Sequence, residues 1–173
     1  MKILQIVYPG LGGTGSVSFS LIEGQTKKQY KNHFLFIGIE KLITDYKKKC
    51  KKLNINFNYI KKKRYQIKLR EILVYMNKIY PDIIIVHDYN MLPFFIYSLF
   101  KNNRLIYVHH TPDKTKKIKD WLLYIFNSFL CQKIVLVSKR DKNEFMYKLN
   151  NLLFKNKVSV IENGINIQKF SND

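Results

Sequence analysis

The first residues of this chain that could do chemistry form a glycine-rich segment, PGLGGTGS, at positions 9–16. Unpaired backbone N–H groups at the start of a helix attract phosphate and other anions, and glycines let such a ligand approach the backbone closely. The segment therefore predicts a phosphate- or acceptor-binding loop that contains Gly12, Gly13, Thr14 and Gly15. The alternative is a tight strand-to-helix turn that binds no ligand.

The same segment also fits a second hypothesis, because Gly10, Gly12 and Gly15 satisfy the GxGxxG pattern of dinucleotide-binding domains. Such domains place an acidic residue on the ribose after their second strand. Glu40 is available at that point, although Lys41 follows it and the spacing is somewhat long. A domain that binds NAD(P) or another nucleotide is therefore the main alternative.

Two further segments place histidines and a carboxylate after apolar runs, namely His87-Asp88 and His109-His110. A histidine at a strand end is more often a hydrogen-bonded structural residue, which is our interpretation of His87 and His109. His110 is the candidate catalytic residue. Asp88 can cap the helix that follows, yet both it and His87 are also candidate phosphate- or acceptor-binding residues, since they should share a rim with the glycine loop.

Other sites are less well supported by the sequence. Ser138 follows a third apolar run, where helix capping is the default role and ligand contact the alternative. The four histidines lack the spacing of a metal site. The sequence contains no GxSxG motif, and neither Cys50 nor Cys131 has an activating setting. We therefore predict no metal and no tightly bound cofactor.

The composition restricts partners and location more than it restricts chemistry. The formal net charge of +19 should attract anions such as nucleic acid, an acidic bilayer or phosphorylated substrates, although biased coding composition is an alternative source of the charge. A basic nucleic-acid-binding module is the third hypothesis, but it has no RNP, helix-turn-helix or zinc-finger signature. Two cysteines and the absence of an apolar run of roughly 18 residues favour a cytoplasmic protein.

The elements that must position these residues alternate between strands and helices along the chain. Short β-branched runs predict strands at 2–8, 33–39, 55–60, 83–87, 105–109, 133–137 and 158–161. Helical periodicity or length predicts helices at 16–30, 42–53, 65–79, 91–101, 116–131 and 139–153. This alternation predicts a single Rossmann-like α/β domain with a doubly wound, mostly parallel seven-stranded sheet and helices on both faces. The continuously apolar runs at 83–86 and 134–137 are predicted as central strands.

Five motifs in this order resemble the N-terminal domain of the GT4-type, retaining GT-B glycosyltransferases. They are a Gly-Gly loop (Gly12-Gly13), a Pro-Asp-hydrophobic strand that ends in His (81–87), a strand that ends in His (108–111), a hydrophobic strand into Val-Ser (134–139) and a strand with an Asn-Gly turn (158–166). The resemblance covers essentially the whole chain. It implies half of a GT-B fold.

The resemblance also implies roles for individual residues. The Gly-Gly loop would approach the donor phosphates and the acceptor, and the histidine that matches His110 would contact the transferred sugar. The motif leaves a one-residue ambiguity between His109 and His110. Asn163 and Gly164 would form the hinge to a second domain, and the family's usual Asp after this turn is Asn166 here.

The resemblance leads us to expect that residues 1–173 are the acceptor-side domain and that the C-terminal donor-nucleotide domain is absent. We expect little or no transferase activity from this chain alone, because transfer needs groups from both domains around one reacting centre. Three explanations remain open for this expected absence. The C-terminal half is encoded separately, the chain is a truncated product, or the domain only binds an acceptor.

The expected partners follow from the same resemblance and from the charge. They are a C-terminal glycosyltransferase subunit, a lipid-linked or saccharide acceptor of the cell envelope, and a nucleotide-sugar donor that binds only with the C-terminal half. Lysine-rich patches at 47–49 and 61–64 suggest docking at the inner face of an anionic membrane.

Overall fold

A computed structural model describes residues 1–25, 29–63, 66–110, 117–138 and 152–162. Within these ranges the chain forms seven strands and five helices longer than one turn. The strands are β1 (Lys2–Val7), β2 (Lys31–Gly38), β3 (Asn56–Lys61), β4 (Ile83–His87), β5 (Arg104–His109), β6 (Lys133–Leu136) and β7 (Val158–Val160). The helices are α1 (Gly13–Glu23), α2 (Thr44–Lys52), α3 (Leu69–Ile79), α4 (Leu92–Lys101) and α5 (Ile118–Leu130).

The strands form one sheet in the order β3-β2-β1-β4-β5-β6-β7, and every pair in it is parallel. The order reverses beside β1, since the chain moves outward through β2 and β3 and then returns to place β4 on the other side. This confirms the predicted doubly wound α/β sheet. Ligands of such sheets bind at the carboxyl ends of the strands near the reversal, here β1 and β4.

Alternating side chains of the strands form an apolar core on each face of the sheet. Leu4, Ile6 and Ile84 pack on the face that is covered by α3, α4 and α5, where they belong to a cluster with Ile72, Met76, Phe94 and Tyr124. The opposite face carries Val7, Phe34 and Phe36, which pack with Phe19 of α1 and with Tyr46 and Cys50 of α2. Helices on both faces explain why these strands are apolar along their length.

Several predicted boundaries differ from the observed ones. The helix predicted at 16–30 is α1, which begins three residues earlier and ends at Glu23. Its last turn closes with Gly24 N–H donating to the Ser20 carbonyl and Gln25 N–H donating to the Ile22 carbonyl. The helix predicted from residue 65 begins at Leu69. Strand β4 is central as predicted, whereas β6 is paired on both sides but lies next to the edge strand β7. Most of the helix predicted at 139–153 lies outside the described residues.

Among the described helices, none is both long enough and apolar enough to cross a bilayer.

Candidate functional site

Three of the predicted site segments meet at one edge of the sheet. The glycine loop follows β1, His87 ends β4, and His109 ends β5. These strands are neighbours, with His87 paired to Val108 in register. Their parallel direction therefore brings the loop and the histidines together at the carboxyl edge, at the point where the strand order reverses.

The glycine loop has two different kinds of glycine. A side chain added at Gly15 would collide with the ring of Tyr46, so close helix packing requires glycine there. Among the described residues, nothing lies within 4 Å of a Cβ added at Gly12 or Gly13, so this part of the loop is open. No described side chain caps the start of α1 at Gly12. The first N–H groups of a helix lack intrahelical partners, so an anion-binding role of this loop stays a prediction.

A cleft of about 300 Å³ lies beside this open part of the loop. Gly12 and Ser16 line one side of it, and α2 contributes the carboxylate of Asp45 and the two cations of Lys48 and Lys49, which leaves a net positive charge. The hydroxyl group of Tyr46 donates a 3.3 Å hydrogen bond to the Gly12 carbonyl, which ties the loop to α2. Both the helix start and the lysines favour a negatively charged ligand in this cleft.

His87 is buried under the rim, with 2% of its surface exposed. Its Nε2 lies 3.1 Å from Ser18 Oγ and 3.2 Å from Gln5 Oε1, and its Nδ1 lies 2.9 Å from His110 Nε2. Burial and the nearby His110 lower the pKa of His87 to about 3 against a smaller opposing effect of Asp88. His87 is therefore neutral at neutral pH, and its contacts agree with the structural interpretation of this residue.

These contacts determine which nitrogen of each ring carries a proton. Ser18 Oγ donates to the Thr14 carbonyl, and Gln5 Oε1 is an acceptor, so both receive the proton of His87 Nε2. The Nδ1 atom of neutral His87 then accepts a hydrogen bond from Nε2–H of His110. Burial lowers the pKa of His110 as well. His110 is therefore neutral, with a lone pair on Nδ1.

Asp88 joins the ends of β4 and β5. Its backbone has φ 46°, a left-handed conformation that Asp adopts more readily than most residues. Its carboxylate accepts the His110 N–H at 3.0 and 3.1 Å and lies 2.8 Å from His109 Nδ1. Although burial acts to raise it, the contacts with His109 and His110 hold the pKa of Asp88 below its ordinary value. Asp88 is therefore an anion at the rim.

The two adjacent histidines differ in exposure and contacts. His109 is buried, and its Nδ1 lies close to Asp88 and 3.1 Å from the Tyr107 hydroxyl. His110 is only partly buried, and its Nδ1 makes no hydrogen bond to another described residue. Of the two rings, that of His110 is the more exposed, and His110 remains the candidate catalytic residue.

The alternative role of Asp88 as a helix cap is wrong. At the start of α4, the N–H of Met91 donates to Asn127 Oδ1 and the N–H of Leu92 donates to Asn90 Oδ1. The carboxylate of Asp88 is turned to β5 instead.

The structure describes only some of the remaining predicted site residues. Thr14 lies in the first turn of α1, where its carbonyl accepts from Ser18. Ser138 is half-buried two residues after β6, at the same carboxyl edge. Asn163 and Gly164 lie outside the described residues, so their hinge role stays a prediction. Within the described ranges, no group of three His, Cys, Asp or Glu side chains could hold a metal ion.

The sequence did not lead us to two residues that contact the His87 ring. Gln5 is 1% exposed in the middle of the apolar strand β1, and Ser18 is fully buried on α1. A buried polar side chain usually has a specific hydrogen-bonding partner. The polar interruption of an otherwise apolar strand at Gln5 was therefore a usable signal.

Comparison with known proteins agrees with this architecture. HepE from Anabaena in complex with UDP-glucose has a TM-score of 0.72 at 12% identity, over 97% of this chain and 45% of that chain. The lipopolysaccharide outer core galactosyltransferase WaaB in its apo form has a TM-score of 0.65 at 15% identity, over 96% of this chain and 47% of that chain. A glycosyltransferase from Rickettsia africae has a TM-score of 0.61 at 18% identity, over 98% of this chain and 45% of that chain. These likenesses show a shared fold, and the chain spans about half the length of each of these structures.

No curated protein sequence matches the chain. A model of a whole protein family does match it, under the description Glycosyltransferase Family 4, over residues 11–169. The match covers the glycine loop from Leu11 onward and all of the strand-end residues described above. Because it extends over most of the chain, the protein belongs to Glycosyltransferase Family 4.

Proposed function

We propose that residues 1–173 form the acceptor-side half of a sugar-nucleotide-dependent glycosyltransferase that acts in cell-envelope polysaccharide or glycolipid synthesis. The observation that carries the proposal is the meeting of an uncapped, open glycine loop with His110 at the reversal point of the sheet. The proposed ligands are the donor phosphates and the hydroxyl groups of a sugar.

The site residues have complementary roles in this proposal. The N–H groups after Gly12 and the lysines of the adjoining cleft bind negative charge. His110 accepts a hydrogen bond from a sugar hydroxyl at Nδ1, because its Nε2 proton is engaged by His87. Gln5 and Ser18 support His87 from below. These buried contacts thus orient the ring of His110.

We further propose that residues 1–173 by themselves turn over little or no sugar nucleotide. HepE holds its UDP-glucose in a chain about twice as long as the part that this protein matches. A second domain, supplied by the same or by another polypeptide, would provide the partners of the nucleotide. Groups on one side of a ligand leave it partly solvated and poorly oriented, which raises the barrier to transfer.

A dinucleotide-binding domain is the second candidate, and one contact favours it. Glu40 follows β2, and its carboxylate lies so close to Gly10 that a side chain added at Gly10 would collide with it. This is where a dinucleotide-binding domain places its ribose-binding acid. The strand order 3-2-1-4-5-6 is also common to both types of protein.

Equilibrium titration separates the two candidates. For residues 1–173 we expect dissociation constants weaker than about 1 mM for both UDP-glucose and NAD, since only one side of the site is present. Isothermal titration calorimetry at low salt measures both ligands under the same conditions. Binding of NAD or NADP at about 1 μM would assign the loop to a dinucleotide and contradict the glycosyltransferase proposal.

We also propose that the protein docks on an anionic membrane through α5. Four side chains of this helix are exposed at helical spacing, namely Ile118 (81%), Leu122 (63%), Phe126 (43%) and Phe129 (62%). Lys117 and Lys119 lie at the start of the helix, and the ammonium group of Lys157 donates to carbonyls at its end. An apolar stripe bordered by lysines is the pattern of a helix that lies in the interface of an anionic bilayer.

Co-sedimentation with vesicles tests this docking. We expect binding to phosphatidylglycerol vesicles that weakens with salt and falls about fivefold in Leu122→Ser, because one of the most exposed side chains of the stripe is lost. Val74→Ser on α3 is the matched control, since Val74 is also 63% exposed but lies on another helix. Equal binding to neutral phosphatidylcholine vesicles, or equal losses in both variants, would refute docking through α5.

A further inference from the structure

A second cleft lies at the amino ends of the strands, on the opposite edge from the glycine loop. It has a volume of about 380 Å³, and it is formed by the first residues of β1, β2 and β3 and by the end of α3. Strand β2 is eight residues long, which separates the two edges by about 23 Å. The cleft is therefore distinct from the site described above.

Positive charge converges on this cleft from three elements. Lys2 and Lys31 are paired in register at the starts of β1 and β2, and Lys78 lies in the last turn of α3. The ammonium group of Lys2 donates one bond to the Ile79 carbonyl, which leaves two of its three protons for another acceptor. Among the described residues, none of the three lysines forms an ion pair.

His33 provides an independent sign of a missing ligand. It lines the same cleft and is 6% exposed, and both of its ring nitrogens are buried without a hydrogen-bond partner among the described residues. Burial, together with Lys31 and Lys2, lowers the pKa of His33, so the unliganded ring is neutral with one N–H donor. A buried polar group without a partner is costly, and such groups usually satisfy a ligand, a water molecule or an ion.

The cleft also has an aromatic part. Phe57 and Tyr75 line it beside the lysines. The hydroxyl group of Tyr75 donates to the Phe34 carbonyl, so the ring is held in place by α3 and β2 together. Asp82 accepts the backbone N–H of Lys2 but does not line the cleft. The cleft therefore combines cations and an N–H donor for an anion with apolar surface for an organic group.

We propose that this cleft binds a phosphate group, with Lys2, Lys31 and Lys78 as its cationic ligands and His33 in the wall beside them. Several cations around one point favour a dianion over a single carboxylate. The phosphate comes either from the free anion or from a small phosphorylated molecule whose organic part contacts Phe57 and Tyr75. This site does not depend on the function proposed for the carboxyl edge.

Calorimetric titration of the chain with inorganic phosphate and with glucose 1-phosphate tests the proposal. We expect saturable binding with a dissociation constant near or below about 1 mM at low salt. The double variant Lys31→Ala/Lys78→Ala should weaken it about tenfold, since it removes two exposed cations of the cleft. Lys47→Ala/Lys51→Ala is the control, because it removes the same charge from exposed positions on α2 that do not line the cleft.

The His33→Leu variant separates a ligand-binding histidine from a structural one. It should bind phosphate more weakly without losing stability, because leucine removes an unpartnered polar group from a buried position. Tighter binding of glucose 1-phosphate than of phosphate would identify a phosphorylated molecule as the ligand, and equal binding would identify the free anion. Absence of saturable binding, or equal losses in the cleft variant and the α2 control, would overturn the proposal.

Discussion

Replacing His110 with alanine is expected to lower the rate of sugar transfer about 100-fold in an enzyme that contains these residues together with a donor-binding domain. The ring presents Nδ1 to a ligand and uses Nε2 to bond to His87. Loss of a positioning contact shifts a reacting group by about 1 Å, and this is enough for a 100-fold effect. Release of the nucleoside diphosphate from the sugar nucleotide measures the rate.

The His110→Gln variant tests which nitrogen matters. The glutamine amide can still donate to His87 Nδ1, as His110 Nε2 does, but it has no counterpart of Nδ1. If Nδ1 contacts the sugar, glutamine is as inactive as alanine. Retention of most of the activity by the glutamine variant would mean that His110 only supports the buried cluster, and it would contradict the role given to Nδ1.

His109 offers a comparison within the same segment. Its ring is buried and lies against Asp88 and Tyr107. We therefore attribute a structural role to it, as the sequence analysis did, and a ligand-contacting role to its neighbour. Two adjacent histidines at one strand end can therefore have different roles.

The fold was predictable because its signals are local and repeated. Each buried strand is a short apolar run, and segments long enough for crossover helices separate these runs, so the strand-helix alternation leads to a doubly wound sheet. The end of the first helix was the largest boundary error, since the polar segment 24–30 was assigned to the helix while α1 ends at Glu23. The position of β6 next to the edge depends on the pairing order, which periodicity does not encode.

The candidate site was predictable only as a set of strand ends. Parallel strands had to bring the glycine loop, His87 and His110 to one edge. The support from Gln5 and Ser18 was not predicted, because it joins residues 82 and 69 positions apart from His87 along the chain. The hydrogen bond that the His110 N–H donates to Asp88 depends on the left-handed backbone at Asp88. The surrounding sequence pattern does not predict that conformation.

A second prediction with a large expected effect concerns the transferase activity of residues 1–173 in isolation. The carboxyl edge supplies the N–H groups at the start of α1 and the oriented ring of His110, and in the proposed function these groups lie on one side of the ligand. We expect the isolated chain to release nucleoside diphosphate from UDP-, GDP- or ADP-linked sugars no faster than buffer does. Catalysis depends on groups that surround the developing charge, and half of such a set provides little stabilisation.

The most direct test of this account is a nucleoside diphosphate release assay on two preparations. One is the pure 173-residue chain, and the other is the tagged chain isolated from its native lysate with whatever donor-binding domain accompanies it. We expect no turnover by the first preparation, and turnover by the second that is lost in His110→Ala. Turnover by the pure chain, or turnover by the second preparation that is unaffected by His110→Ala, would contradict it.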